Sequence, residues 1–172
     1  ENGARLGAVT MDVTSLDTLN PAILGGAGTP SGSVTDEGFS LIAEELGRLD
    51  VGSFTFTQPE LPDAGGDDPD IIIRAATAFG SDDPDGGVSD ILVRSSGSGG
   101  IIRVDGLFEL VNAAPTDTVA LEAGDRIEIV TPGGIVLSDS DGLPSGELAL
   151  DADDIWVADA DLIAQLQGDI AF

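Results

Sequence analysis

The chain predicts an all-β protein built as a β-solenoid, and three observations carry that expectation. Apolar runs of three to six residues recur along its length and are rich in Ile and Val, the residues that suit a pleated, half-buried surface. Gly, Pro or Asp bounds these runs, in a chain with 24 Gly and 9 Pro. Related runs return at a spacing of about 20 residues, the length of one solenoid coil. Asp70-Ile71-Ile72-Ile73-Arg74 is echoed by Asp90-Ile91-Leu92-Val93-Arg94, and Leu107, Ile127 and Leu148 continue the interval. An antiparallel β-sandwich is the alternative that the same runs and turns would suit.

Taken in order, the predicted strands are Val51–Phe56, Ile71–Ile73, Ile91–Val93, Ile101–Val104, Leu107–Val111, Arg126–Val130, Ile135–Leu137, Glu147–Leu150 and Ile155–Val157. Arg126–Val130 and Glu147–Leu150 alternate apolar with polar, so one face of each should be buried and the other wet. Ile71-Ile72-Ile73 is apolar on both faces and predicts burial on both sides. Two stretches have helical spacing instead. Thr35–Leu49 carries Phe39, Leu41, Ile42 and Leu46, with Asp36 as a possible cap and Gly47 as a stop. Ala160–Gln167 repeats the pattern with Leu162, Ile163 and Leu166. Gln58–Asp70 and Phe79–Ser89 are too acidic and too rich in Gly and Pro for strand interiors, and read as loops on one flank.

No linker divides the 172 residues, so residues 1–172 read as one solenoid segment. Roughly seven to nine coils of about 20 residues would make a rod of about 35–45 Å at about 4.8 Å per coil. The opening Glu1-Asn2-Gly3 and the apolar close Ile170-Ala171-Phe172 suggest a processed or fragmentary piece of a longer protein. There is no Cys, so disulfides and thiolate metal sites are impossible. No apolar run approaches the roughly 18 residues of a membrane-spanning helix, which argues against membrane insertion. The net charge of −26 repels phosphate backbones and anionic lipid, which argues against nucleic-acid binding. That charge also keeps a repetitive β protein soluble and concentrates cations near it.

The stretch Leu121-Glu122-Ala123-Gly124-Asp125-Arg126-Ile127-Glu128-Ile129-Val130, then Gly133-Gly134-Ile135, resembles the β-helical passenger regions of filamentous-haemagglutinin-like bacterial adhesins. Gly146-Glu147-Leu148-Ala149-Leu150-Asp151-Ala152 continues it, followed by Ile155-Trp156-Val157-Ala158 and Leu162-Ile163-Ala164-Gln165-Leu166. Arg5–Val9 and Leu49–Phe54 are looser echoes. The likeness covers less than a third of the chain. It implies a right-handed parallel β-helix, export to the surface of a Gram-negative bacterium, and no catalytic or cofactor-binding residues.

The available chemistry is narrow. Without His, Cys, Lys or Tyr, the Ser–His–Asp, Cys–His, Schiff-base and histidine–zinc arrangements are excluded. Ser95–Gly100 lacks the Gly-Lys-Ser/Thr ending of a phosphate loop and predicts a turn between strands. A glycosidase needs two carboxyls about 5–10 Å apart across a cleft. It also wants an aromatic platform, and the single Trp156 lies in a predicted strand where core packing is expected. Calcium is the more natural ligand, because it takes six to eight oxygens in acidic turn loops. Asp139-Ser140-Asp141-Gly142 and Asp82-Asp83-Pro84-Asp85-Gly86 offer that pattern, making Asp139, Asp141, Asp82, Asp83 and Asp85 the candidate metal ligands. Asp67-Asp68-Pro69-Asp70 and Asp151-Ala152-Asp153-Asp154 are further clusters, and each cluster also suits a solvated acidic turn.

The functional expectation is a non-enzymatic structural or adhesive segment of an exported surface protein, a rigid spacer touching a host cell or glycan surface. Homo-assembly by end-to-end or edge stacking would follow from exposed strand edges. A calcium-stabilised extracellular or S-layer-like β module is the second class, and a carbohydrate-active enzyme the third.

Overall fold

The computed structural model describes residues 10–26, 38–62, 68–74, 77–79, 87–130, 134–158 and 169–171. It is an all-β structure with one short helix among these residues. In chain order the elements are β1 (Thr10–Thr14), β2 (Ala22–Leu24), β3 (Ser40–Leu41), α1 (Ala43–Leu46), β4 (Val51–Pro59), β5 (Ile71–Ile73), β6 (Thr77–Phe79) and β7 (Val88–Ser96). They continue as β8 (Ile101–Val104), β9 (Leu107–Val111), β10 (Thr118–Ala123), β11 (Arg126–Ile129), β12 (Gly134–Ser138), β13 (Glu147–Asp151), β14 (Asp154–Val157) and β15 (Asp169–Ala171).

The strands form three sheets, ordered β1-β4-β7-β10-β13-β15, β3-β2-β5-β8-β11-β14 and β6-β9-β12. From β4 to β12 the chain visits the first, second and third sheet in turn, three times over. Every strand pairing within the sheets is parallel. The antiparallel sandwich is therefore not the arrangement found. Its short turns would pair consecutive strands antiparallel. Among the described residues β2 and β3 are the one consecutive pair, itself parallel, and every other pairing joins strands that have further strands between them in sequence.

In-register pairing stacks like on like. In the first sheet Val13, Phe56, Val93, Leu121 and Leu150 are successive partners. In the second the column is Leu41, Leu24, Ile73, Val104, Ile129 and Val157. In the third it is Phe79, Leu110 and Leu137. These side chains meet in one continuous core, with Phe79 lying between Phe54 and Phe108 at ring-centroid distances of 5.6 and 5.2 Å. Burying each such side chain stabilises the fold by about 1.5–3 kcal/mol.

The stacking interval differs from the one expected. Ile91, Val119 and Leu148 are successive partners in the first sheet, and Ile102, Ile127 and Ile155 in the second. Ile71–Ile73 and Ile91–Val93, whose likeness suggested a repeat of about 20 residues, lie in different sheets. The interval is longer because strands of the other two sheets lie in sequence between these partners. Of the segments predicted to be helical, only the turn Ala43–Leu46 is helical among the described residues. It ends at Gly47, is held at its start by the Ile42 amide donating to Glu45 Oε2 at 3.1 Å, and lies beside β6. Asp36 and Ala160–Gln167 lie outside the described residues. The two predicted loops are narrower than expected, since β4 runs to Pro59 and β7 begins at Val88. Among the described residues no helix is long and apolar enough to cross a membrane.

One corner explains its glycines. A Cβ on Gly124 would lie 1.8 Å from the Gly97 carbonyl oxygen, so successive corners approach too closely for a side chain. The turn predicted at Ser95–Gly100 is found at Gly97–Gly100, joining β7, which includes Ser95 and Ser96, to β8.

Candidate functional site

Asp139 and Asp141 are brought together in the turn between β12 and β13. The turn is built on Asp139: its Oδ1 accepts the amides of Asp141 and Leu143, each at 2.9 Å. Its own amide donates to the Leu143 carbonyl, and its carbonyl accepts from Gly142, whose φ of +75° is one that glycine adopts without strain. One Asp139 oxygen is thus committed to backbone, while Asp141 is exposed. Among the described residues no three acidic side chains converge in a metal-binding arrangement. Asp82, Asp83 and Asp85 lie outside the described residues. Asp151, Asp153 and Asp154 are exposed at the corner between β13 and β14.

The most highly organised carboxylate belongs to a residue that the sequence placed in an acidic loop cluster and before an apolar run, not among the candidate ligands. Asp70, immediately before β5, is 3% exposed. Its Oδ1 accepts the Leu61 amide at 2.8 Å; its Oδ2 accepts the Ile101 amide at 2.9 Å and the Ser95 hydroxyl at 2.5 Å. Its backbone joins the same ladder, donating to Ile101 and accepting from Ala22. The sequence signal was the Asp preceding an apolar run at both Asp70 and Asp90, but only Asp70 turns inward. Nearby, buried Gln58 donates from Nε2 to the Asp17 carbonyl at 2.7 Å. That carbonyl begins a turn in which Asp17 Oδ1 accepts the amides of Leu19 and Asn20. These hydrogen bonds hold the Asp17 carboxyl below the usual carboxylate range.

The cations sit in register with acids. Arg94 on β7 pairs with Glu122 on β10 at 2.6 Å, and Arg103 on β8 with Glu128 on β11 at 2.7 Å. Glu128 also faces Arg126 at 3.4 Å and is only 6% exposed. Beside it Asp105 is pushed above the usual carboxylate range by burial, against the opposing pull of Arg74 and Arg103. An acid raised by folding stabilises the fold below its unfolded value of 3.8, and that contribution is lost as pH rises through the folded value. Asp105→Asn should therefore raise the melting temperature at pH 7 and leave it unchanged near pH 3. Thermal melts at the two pH values check this.

Trp156 departs from expectation. Ile155 and Val157 turn toward the core, so period-two alternation leaves Trp156 outward and 49% exposed, in register with Glu128. Comparison with family models, curated proteins and solved structures then finds no match to the chain. The function must be argued from geometry. What the described surface offers is carboxylate and guanidinium charge on ordered sheet faces, and turns organised by backbone hydrogen bonds.

Proposed function

We propose that the chain is a right-handed parallel β-helical segment of an exported surface protein of a Gram-negative bacterium, a rigid spacer or cell-contact surface without catalytic activity. The observation that supports this is the stacking itself: three parallel sheets in register, with the same aliphatic columns at each step. Each step shares backbone hydrogen bonds and side-chain packing with its neighbours, which makes such stacks stiff and leaves their flanks and turns free for contact. The likeness of Leu121–Ala158 to filamentous-haemagglutinin-like passengers points the same way. With six strands in the longest sheets, the stack is about 24 Å tall at about 4.8 Å per step, shorter than the rod expected from a shorter coil.

Beads coated with the protein should be retained on host-cell or bacterial-cell layers more than beads carrying an unrelated protein of equal charge. Equal retention would overturn the adhesive role. A calcium-stabilised extracellular module is the second reading, favoured by the tight Asp139–Leu143 turn with Asp141 exposed beside it. Melting with chelator and with millimolar calcium separates the two. The spacer reading expects a shift under about 2 °C, equivalent to less than roughly 1 kcal/mol at this size. A larger rise with calcium supports the second, since a cation binding only the folded state stabilises it by mass action.

A further inference from the structure

We infer that copies of this chain associate head to tail, the β3 edge of one against the β14 edge of the next. The inference rests on the stacked-strand reading above and adds the partner.

The second sheet carries the argument because the burial of both its end strands, β3 and β14, is described. Its inward column runs Leu41, Leu24, Ile73, Val104, Ile129, Val157. The four inner members are fully buried, while the two end members are only partly covered. Leu41 and Val157 are thus the two faces of one interrupted column. Setting Leu41 of one copy over Val157 of another repeats the aliphatic contact already made between Val104 and Ile129. Among the described residues, β3 pairs only with β2 and β14 only with β11, so each offers an edge of backbone donors and acceptors. All pairings in the sheet are parallel, so only a head-to-tail copy extends it without reversing direction. The first sheet ends the same way, with β1 beside β3's end of the stack and β15 at β14's end. The third sheet takes no part, since α1 lies beside β6 at that end.

Leu16 and Leu19, 89% and 81% exposed, follow β1 at one end; Leu143 and Trp156 lie toward the other. A heterologous contact of this kind does not close on itself and propagates as a filament. What opposes it is −26 of charge on every copy. Association should therefore strengthen steeply with salt, as the screening length falls from about 30 Å at 0.01 M to about 3 Å at 1 M.

The test is sedimentation and negative-stain electron microscopy of the full chain at these two salt concentrations. In high salt the weight-average mass should at least double and short filaments should appear; in low salt both effects should vanish. Leu41→Asp and Val157→Asp should each stay monomeric alone. Mixed in equal amounts they should form one-to-one dimers and nothing larger, because one intact Leu41 end meets one intact Val157 end. Wild-type monomers at both salt concentrations would overturn the inference, as would dimers of Leu41→Asp alone, which would mean tail-to-tail contact. Hydrogen exchange on the monomers separates the underlying reading: protected strands without assembly defeat only the inference, whereas unprotected strands defeat the stacked fold itself.

Discussion

Asp70→Ala should destabilise the protein by about 3–5 kcal/mol, lowering its melting temperature by about 10 °C or more. The substitution leaves three buried donors without an acceptor: the amides of Leu61 and Ile101 and the hydroxyl of Ser95. Each orphaned donor costs about 1–3 kcal/mol, and the three act on one corner, so their costs combine less than additively. The carboxylate links the segment after β4, the end of β7 and the start of β8, so its loss should loosen strands of the first and second sheets together. Asp70→Asn keeps the shape and one acceptor oxygen but turns an NH₂ toward donors, and should fall between wild type and Ala. Ser95→Ala, which removes one partner and leaves the two amide contacts, should cost only about 1 kcal/mol. Chemical denaturation of the three variants checks the order. An Ala variant within 1 kcal/mol of wild type would show that the corner holds without its carboxylate.

Phe79→Ala should cost a similar amount, about 3–5 kcal/mol, for a different reason. Phe79 is fully buried, and its ring lies against both Phe54 and Phe108. Removing it opens a cavity where the first and third sheets meet and abolishes two tilted aromatic contacts worth about 0.5–1.5 kcal/mol each beyond their buried area. β6 has only three residues and is held otherwise by its ladder to β9 and by α1 beside it. Phe79→Leu refills most of the volume and should recover more than half of the loss. If Leu were no better than Ala, ring-to-ring contact rather than volume would govern this part of the core.

The strands of the second half were largely legible. Ile101–Val104 and Leu107–Val111 carry the predicted bounds, and the others from β11 to β14 differ by a residue or two, because Gly and Asp punctuate them and β-branched residues fill them. β1, β2, β3, β6, β10 and β15 were missed: Thr10–Thr14 and Thr118–Ala123 mix Thr and acids with the apolar residues, Ser40–Leu41 lies in a stretch with helical spacing, and strands of two or three residues carry little readable period. The spacing failed where it rested on local likeness. Ile71-Ile72-Ile73-Arg74 and Ile91-Leu92-Val93-Arg94 look alike because both are inward strands, although they belong to different sheets. Asp139 and Asp141 were rightly singled out as neighbours in a turn, but composition does not reveal that Asp139 spends an oxygen on two backbone amides. Asp70 was noted, but its inward role was not legible, because burial of a carboxylate depends on donors nine to thirty-one residues away, at Leu61, Ser95 and Ile101.

The placement of the arginines bears on how well the molecule withstands proteolysis. Digestive enzymes that cut after basic residues find six possible points of attack, all Arg. Arg94, Arg103 and Arg126 lie within paired strands, and Arg74 directly follows one, its amide donating to the Leu24 carbonyl. A protease must draw several residues into an extended cleft, which here means first peeling a strand from its neighbours, an opening that approaches the cost of unfolding the core. A trypsin-like enzyme would thus meet a target whose scarce cleavable bonds sit largely where the backbone is least able to yield.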